Sequence, residues 1–103
     1  MNAPRAEASS IGDLDPVIHA PKRLAAMALL ANTESTDFPF LRDRLGISDS
    51  DLSKQMTALE QAGYVEISKT GRGRGATTRY RITRPGRSAY QRHRAALHAL
   101  LGS

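Results

Sequence analysis

Cysteine is absent from the 103 residues. Its absence excludes disulfide frameworks, thiolate zinc sites, iron–sulfur clusters and cysteine nucleophiles, and fits a reducing compartment. Long apolar runs are missing as well. The longest, Leu24 to Ala31, has eight residues, whereas roughly 20 are needed to span a bilayer. The acidic pair Asp13 and Asp15 comes early, with no apolar core of signal-peptide length before it. Catalytic signatures are lacking too: there is no Gly-Lys-Ser/Thr phosphate loop, no G-x-S-x-G elbow and no H-E-x-x-H. The run Gly71-Arg72-Gly73-Arg74-Gly75 lacks the strand-to-helix setting of a dinucleotide fingerprint. These absences lead to the expectation of a soluble cytoplasmic protein that is not an enzyme and holds no cofactor.

One part of the chain also lacks one sign of charge. Residues 67–103 carry nine basic side chains and no acidic one, a net +9, whereas residues 1–66 carry six basic and ten acidic ones, a net −4. Asymmetry of this size points to a polyanionic partner, either nucleic acid or an anionic membrane surface. A solvated basic tail is the plainer alternative.

What is present reads as one domain of ordinary globular composition, able to bury about two-thirds of its unfolded surface. The expected division is a flexible lead-in over residues 1–12 and a folded unit over 13–103. Asp15-Pro16 reads as a cap and first helical position, opening a short helical turn with Leu14, Val17 and Ile18. Pro21 starts a second helix from Lys22 to about Asn32, apolar around nearly its whole circumference and therefore central. A loop follows at Glu34-Ser35-Thr36, then Phe38 in a short strand. Pro39 opens a compact helix through Leu45, with Leu41 and Leu45 on its inner edge and Gly46 as its stop.

Ser48 caps the next helix, and Asp51 makes an S-x-x-D variant of the capping box. This helix runs to Ala62 with Leu52, Met56 and Leu59 on one face. The opposite face carries Ser50, Lys54, Thr57 and Gln61, with Ser53 at its edge. It is polar, small and nearly uncharged, without the Glu/Lys lacing usual on a solvated helix. Past Gly63 the period becomes two. Strands are expected over Tyr64–Ser68 and Thr78–Thr83, joined by a long loop, 69–77, that interleaves glycine with arginine. A last helix starts near Pro85 and ends by Gly102, with a stripe of Tyr90, His93, Leu97, Leu100 and Leu101 and with Ala89 alongside.

Two short helices joined at Gly46-Ile47-Ser48, the second with one apolar and one polar face, describe a helix-turn-helix. An α-helix fits the major groove of B-DNA, where small polar side chains and Lys54 can meet base edges. A hairpin with a cationic Gly/Arg tip can flank the duplex, its glycines permitting close approach to phosphates and its arginines suiting a narrow minor groove. The candidate DNA-binding residues are therefore Ser50, Ser53, Lys54 and Thr57 on the helix and Arg72 and Arg74 in the loop, with Lys69 and Arg79 as phosphate clamps.

The chain resembles the winged-helix transcriptional regulators of the MarR/ArsR-like type. The likeness runs through Leu14–Leu24, Phe40–Glu66 and Arg79–Tyr90 and covers about residues 13–101. It implies an α+β, mainly α fold: a winged helix-turn-helix with a two-stranded β-hairpin wing and flanking N- and C-terminal helices. It also implies that the helix from Ser48 is the recognition helix and loop 69–77 the wing. The first helices and the last, 85–101, would build a homodimer through Leu14, Val17, Ile18, Tyr90, His93, Leu97, Leu100 and Leu101. The function implied is a sequence-specific, double-stranded DNA-binding transcriptional regulator, a repressor. In place of the Gly-Asn that relatives often carry, this chain has Ser50-Asp51. The Asp51 carboxylate either accepts from cytosine N4, though phosphate repels it, or only caps Ser48.

Other readings stand beside this one. A winged-helix interaction module could bind protein or RNA without reading sequence. The basic last helix could rest on anionic lipid, although it lacks Trp and Phe. His19, His93 and His98 do not have the spacing of a metal site, so no metal is expected, and His93 reads as a core or interface residue. Any small-molecule effector would have to use the dimer interface or the groove beneath it.

Overall fold

The computed structural model describes residues 11–102. Of the expected lead-in over 1–12, residues 1–10 lie outside the described residues, and Ile11–Asp13 form one 3-10 turn. The expected helical turn at Asp15 is a single turn in which the His19 amide donates to the Asp15 carbonyl at 2.8 Å. Asp15 does cap it: its Oδ1 accepts from the amides of Val17 at 2.8 Å and Ile18 at 3.2 Å.

Helix α1 spans Pro21–Leu30, with proline in its first turn, where a missing N–H costs nothing. Strand β1 is the pair Thr36–Asp37, and α2 covers Phe38–Leu45. Asp37 caps α2 by accepting from the Phe40 amide at 2.9 Å. Phe38, expected in the strand, is thereby drawn into the helix start. Helix α3 spans Asp49–Gln61, capped by the Ser48 hydroxyl on the Asp51 amide at 3.1 Å. The hairpin consists of β2, Val65–Thr70, and β3, Thr77–Ile82, joined by a short 3-10 turn at Gly73–Gly75. Both strands extend into the expected loop, so the connection shortens to residues 71–76. Helix α4 runs from Arg84 to Leu101.

The sheet has three antiparallel strands in the order β1-β3-β2, one more than the hairpin alone. Thr36 pairs with Tyr80 and Asp37 with Arg79 along the free edge of β3. A strand of two residues carries no periodic signal of its own; the β3 edge is what makes it a strand.

The core lies between the helices and one face of the sheet. Ile18, Met27, Leu30, Leu41, Leu52, Met56 and Leu59 are fully buried, joined by Val65, Tyr80, Ile82 and Ala89. Each such side chain removed from water contributes about 1.5–3 kcal/mol. Two residues expected on a pairing surface sit inside the protomer instead: Ile18 is 0 % exposed and His93 1 %. Neither offers surface to a second copy. The buried stripe of α4 is Gly86, Ala89, His93 and Ala96, one position round from the expected one. The difference arises because α4 approaches the α3–β2 junction at backbone distance. Thr83 donates its amide to the Tyr64 carbonyl at 3.0 Å and its hydroxyl to the Gly63 carbonyl at 2.7 Å. Only a residue without a side chain fits at position 86.

Candidate nucleic-acid interface

Helix α3 is fastened by its apolar face, and this fixes what it presents outward. Leu52, Met56 and Leu59 are 0 % exposed, whereas Ser50, Ser53, Lys54 and Thr57 are all exposed. The 3.6-residue period makes the second statement follow from the first. Lys54 makes no hydrogen bond or ion pair among the described residues.

The flank of α3 is braced by α1. Asp51 Oδ2 receives Lys22 Nζ at 2.5 Å, and Asp51 Oδ1 accepts from Gln55 Nε2 at 2.8 Å. Gln55 Oε1 in turn accepts from Arg23 Nη1 at 2.8 Å, while Arg23 Nε donates to the Val17 carbonyl at 2.6 Å. The hydrogen bond from Gln55 and the ammonium of Lys22 hold the Asp51 carboxyl below its usual value of 3.8. Of the two roles open to Asp51, capping is only half realised. Its amide donates to the Ser48 hydroxyl oxygen, but its carboxylate turns to α1 instead of reaching back, a reach that a longer Glu side chain makes in a full capping box. At the other edge, Arg42 of α2 reaches Asp49 at the start of α3 at 3.0 Å and pairs with Asp43 on its own helix at 2.9 Å. Exposed pairs of this kind add little to stability; their effect is to orient the helix.

The hairpin divides its cations between two faces. In a strand successive side chains alternate, and the register sets Lys69 opposite Thr78 and Ser68 opposite Arg79. Lys69 faces α3, where a groove of about 410 Å³ is lined by Ser53, Thr57, Glu60, Lys69 and Thr78 over Phe38, Ile67 and Tyr80, so that one carboxylate shares it with the lysine. Arg79 faces the other way and gives Nε and Nη2 to Ser35 Oγ at 3.1 and 2.9 Å. Its neighbour Arg81 is paired with Glu66. The structure therefore brings Lys69 together with Ser53 and Thr57, and separates Arg79 from them by the thickness of the sheet. Arg72 and Arg74 lie exposed in the connection at the tip, which Gly71 makes possible. At φ +83°, a Cβ there would lie 2.7 Å from the Gly75 carbonyl oxygen.

Of the residues expected to pair two copies, Leu14, Val17, Tyr90 and Leu97 are half-buried. Leu100 is 37 % exposed and Leu101 72 %, and Ile11 is 79 % exposed near the other end of the chain. The 3-10 turn of Ile11–Asp13 packs on α4. The α1 brace of α3 was not foreseen. Lys22 and Arg23 follow Pro21 as an ordinary basic pair, and nothing local shows that their partners lie 29 and 32 residues away.

Among the described residues no helix is long and apolar enough to cross a membrane, and no group of three or more metal-binding side chains occurs. Residues 22–101 match the winged helix DNA-binding domain family. The chain is similar to an uncharacterized protein of Methanocaldococcus jannaschii, 29% identical over 77 residues that cover 75% of this chain and 84% of the relative. Among solved structures it is similar to the transcriptional regulator homologue protein from Pyrococcus horikoshii OT3. That likeness has a TM-score of 0.77 at 25% identity, covering 82% of this chain and 84% of the other. The zinc-responsive MarR family member ZitR of Lactococcus lactis shares the fold, with a TM-score of 0.63 at 15% identity over 94% of this chain and 66% of its own.

Proposed function

This chain belongs to the winged helix DNA-binding domain family, and from that premise we propose a homodimeric regulator that reads duplex sequence and represses transcription where it binds. Family and structural neighbours are those of DNA-binding transcriptional regulators. The observation that carries the finer reading is the outward face of α3. Four side chains able to meet base edges stand exposed on a helix whose other face is wholly buried, beside a groove edged by Lys69 and a tip bearing Arg72 and Arg74. In this reading Ser50, Ser53, Lys54 and Thr57 enter the major groove. Lys69 meets the phosphates that border it, and the tip arginines follow the backbone or the adjacent minor groove. Arg79 is the weakest of the proposed contacts, since its guanidinium serves Ser35 on the far side of the sheet.

Pairing through the exposed leucines of α4 and the N-terminal turn would give two recognition helices, and two-fold proteins of this kind meet half-sites about one helical turn apart. Repression follows from occupancy of a site that transcription must use. The test is selection of bound duplexes from a random pool, followed by gel-shift titration. Enrichment of a pseudo-palindrome is the expected result. Equal affinity for duplex DNA, structured RNA and heparin would replace this reading with a basic module that does not read sequence.

A further inference from the structure

A polar cluster away from α3 and the hairpin pins the turn at 15–19 to α4, and base reading makes no use of it. His93, on the buried face of α4, accepts the Asp15 amide proton at Nδ1 over 2.9 Å. Its Nε2 lies 3.2 Å from His19 Nδ1, and the two rings meet edge-on with centroids 5.1 Å apart. Asp15 is fully engaged: Oδ1 takes the Val17 and Ile18 amides, and Oδ2 takes the Tyr64 hydroxyl at 2.5 Å.

These contacts determine where the protons are. A ring nitrogen that accepts an N–H must be bare, so His93 carries its proton on Nε2 and donates it to His19 Nδ1. The latter must then be bare as well. Both contacts coexist only when both rings are neutral. A second proton on His93 would sit on Nδ1 and face the Asp15 amide, donor against donor. A proton on His19 Nδ1 would face the Nε2–H of His93 in the same way, and His93 could relieve it only by moving its own proton to Nδ1, which loses Asp15. Protonating either ring therefore breaks at least one contact.

Charged and titratable groups around the pair and its turn are the Asp15 carboxylate on the turn, the Tyr64 hydroxyl just before β2, Arg92 on α4, which acts on Tyr64, and Arg23 on α1, which donates to the Val17 carbonyl. Burial and the neighbouring His19 hold His93 below its usual value of 6.5, against the pull of Asp15. We propose that the His19–His93 pair is a proton-sensitive latch: neutral His93 ties the Asp15 amide to α4 and releases it when protonated, whereas protonating His19 alone breaks only the contact between the rings. Val17 lies on that turn and Leu14 just before it, so release loosens the N-terminal part of the pairing surface, which buried Ile18, Arg23 on the Val17 carbonyl and Tyr64 on Asp15 continue to anchor. That consequence rests on the proposed dimer; the latch itself does not.

The test follows histidine ring signals and backbone amides of the full chain by NMR as pH falls from about 8 to about 5, the range in which histidine titrates. The expected result is a His93 midpoint below 6.5, with the Asp15, Val17 and Ile18 amides shifting at the same midpoint and losing at least tenfold in exchange protection. His93→Gln can still accept the Asp15 amide but cannot titrate, and should keep those amides protected throughout. His19→Gln, at an exposed position, should leave the Asp15 amide following the single remaining ring. Amides that stay unchanged while the wild-type His93 ring titrates would overturn the latch. Sedimentation in parallel separates the two readings: amides that move with no change in sedimentation support the latch and contradict the pairing.

Discussion

Replacing Gly86 with alanine would place a Cβ 2.1 Å from the Tyr64 carbonyl oxygen and 2.8 Å from both its carbonyl carbon and Cα, whereas real Cβ atoms essentially never come within 3.0 Å of such neighbours. All three are backbone atoms, so no side chain can swing aside. The first turn of α4 must lift by about 1 Å, and overpacking of this kind costs roughly 1–3 kcal/mol or more. Lifting also stretches the Thr83 bonds to Tyr64 and Gly63, at about 1 kcal/mol each. Alanine's better helix propensity returns at most about 1 kcal/mol. The net expectation is a destabilisation of about 3 kcal/mol, or a melting temperature lower by roughly 12–24 °C for a domain of this size. Urea and thermal unfolding followed by circular dichroism, at one protein concentration because self-association would shift the midpoint, measure it directly. A variant as stable as the parent, or more so, would refute the claim that α4 docks on the α3–β2 junction by backbone contact.

Three further outcomes follow from the same geometry. Lys54→Ala should relax base preference in a binding-site selection, whereas Arg72→Ala should weaken binding evenly across sequences and flatten the salt dependence by about one unit. A uniform loss for Lys54→Ala would place that residue on phosphate. Gly71→Ala, at φ +83° with Gly75 in its way, should distort the wing tip and lower DNA affinity while changing unfolding free energy by less than about 1 kcal/mol, since the tip lies outside the core. Unchanged affinity would remove the tip from the interface. Burial pushes the Tyr80 hydroxyl from 10.0 up to about 12, so its contribution to stability is complete below pH 10 and is lost as pH rises through about 12, because the unfolded chain ionises first. Alkaline denaturation should be less steep in Tyr80→Phe; an identical profile would show that Tyr80 is not responsible.

Much of this fold is legible locally. Ser48, the Leu52/Met56/Leu59 spacing and the following Gly63 define α3 because a helix is written in short-range period and caps. The alternation of Tyr64–Ser68 and Thr78–Thr83 likewise predicts the hairpin to within a residue or two. What escaped depends on partners far along the chain. Thr36–Asp37 is a strand only because β3 has a free edge, and Phe38 joined a helix because Asp37 caps it. His93 looked like one member of an apolar stripe, yet its burial is explained by the Asp15 amide, 78 residues away. The wing cations show a middle case. Strand parity already places neighbouring residues on opposite faces, but setting Lys69 toward α3 and Arg79 away from it required the register across the turn.

The division of charge acquires a structural meaning from this arrangement. The acidic residues at the start of α3 are committed to structure, Asp51 to Lys22 and Asp49 to Arg42, and they suit the positive end of the helix dipole. Lys54 is left as the one cation among the four outward candidates on α3. The wing adds Lys69, Arg72 and Arg74 beside it, so on the proposed reading backbone attraction and base reading would fall to different elements of the same surface.

The central claim is that the outward face of α3 lies in the major groove. A chain without cysteine accepts a single label cleanly, so Ser53→Cys carrying a DNA-cleaving reagent tests it most directly, with Gln91→Cys on the exposed side of α4 as comparison. The account predicts cuts clustered along the major groove of the selected duplex from position 53 and none from position 91. Equal cutting from both positions, or cuts from position 53 that do not follow the groove, would contradict it.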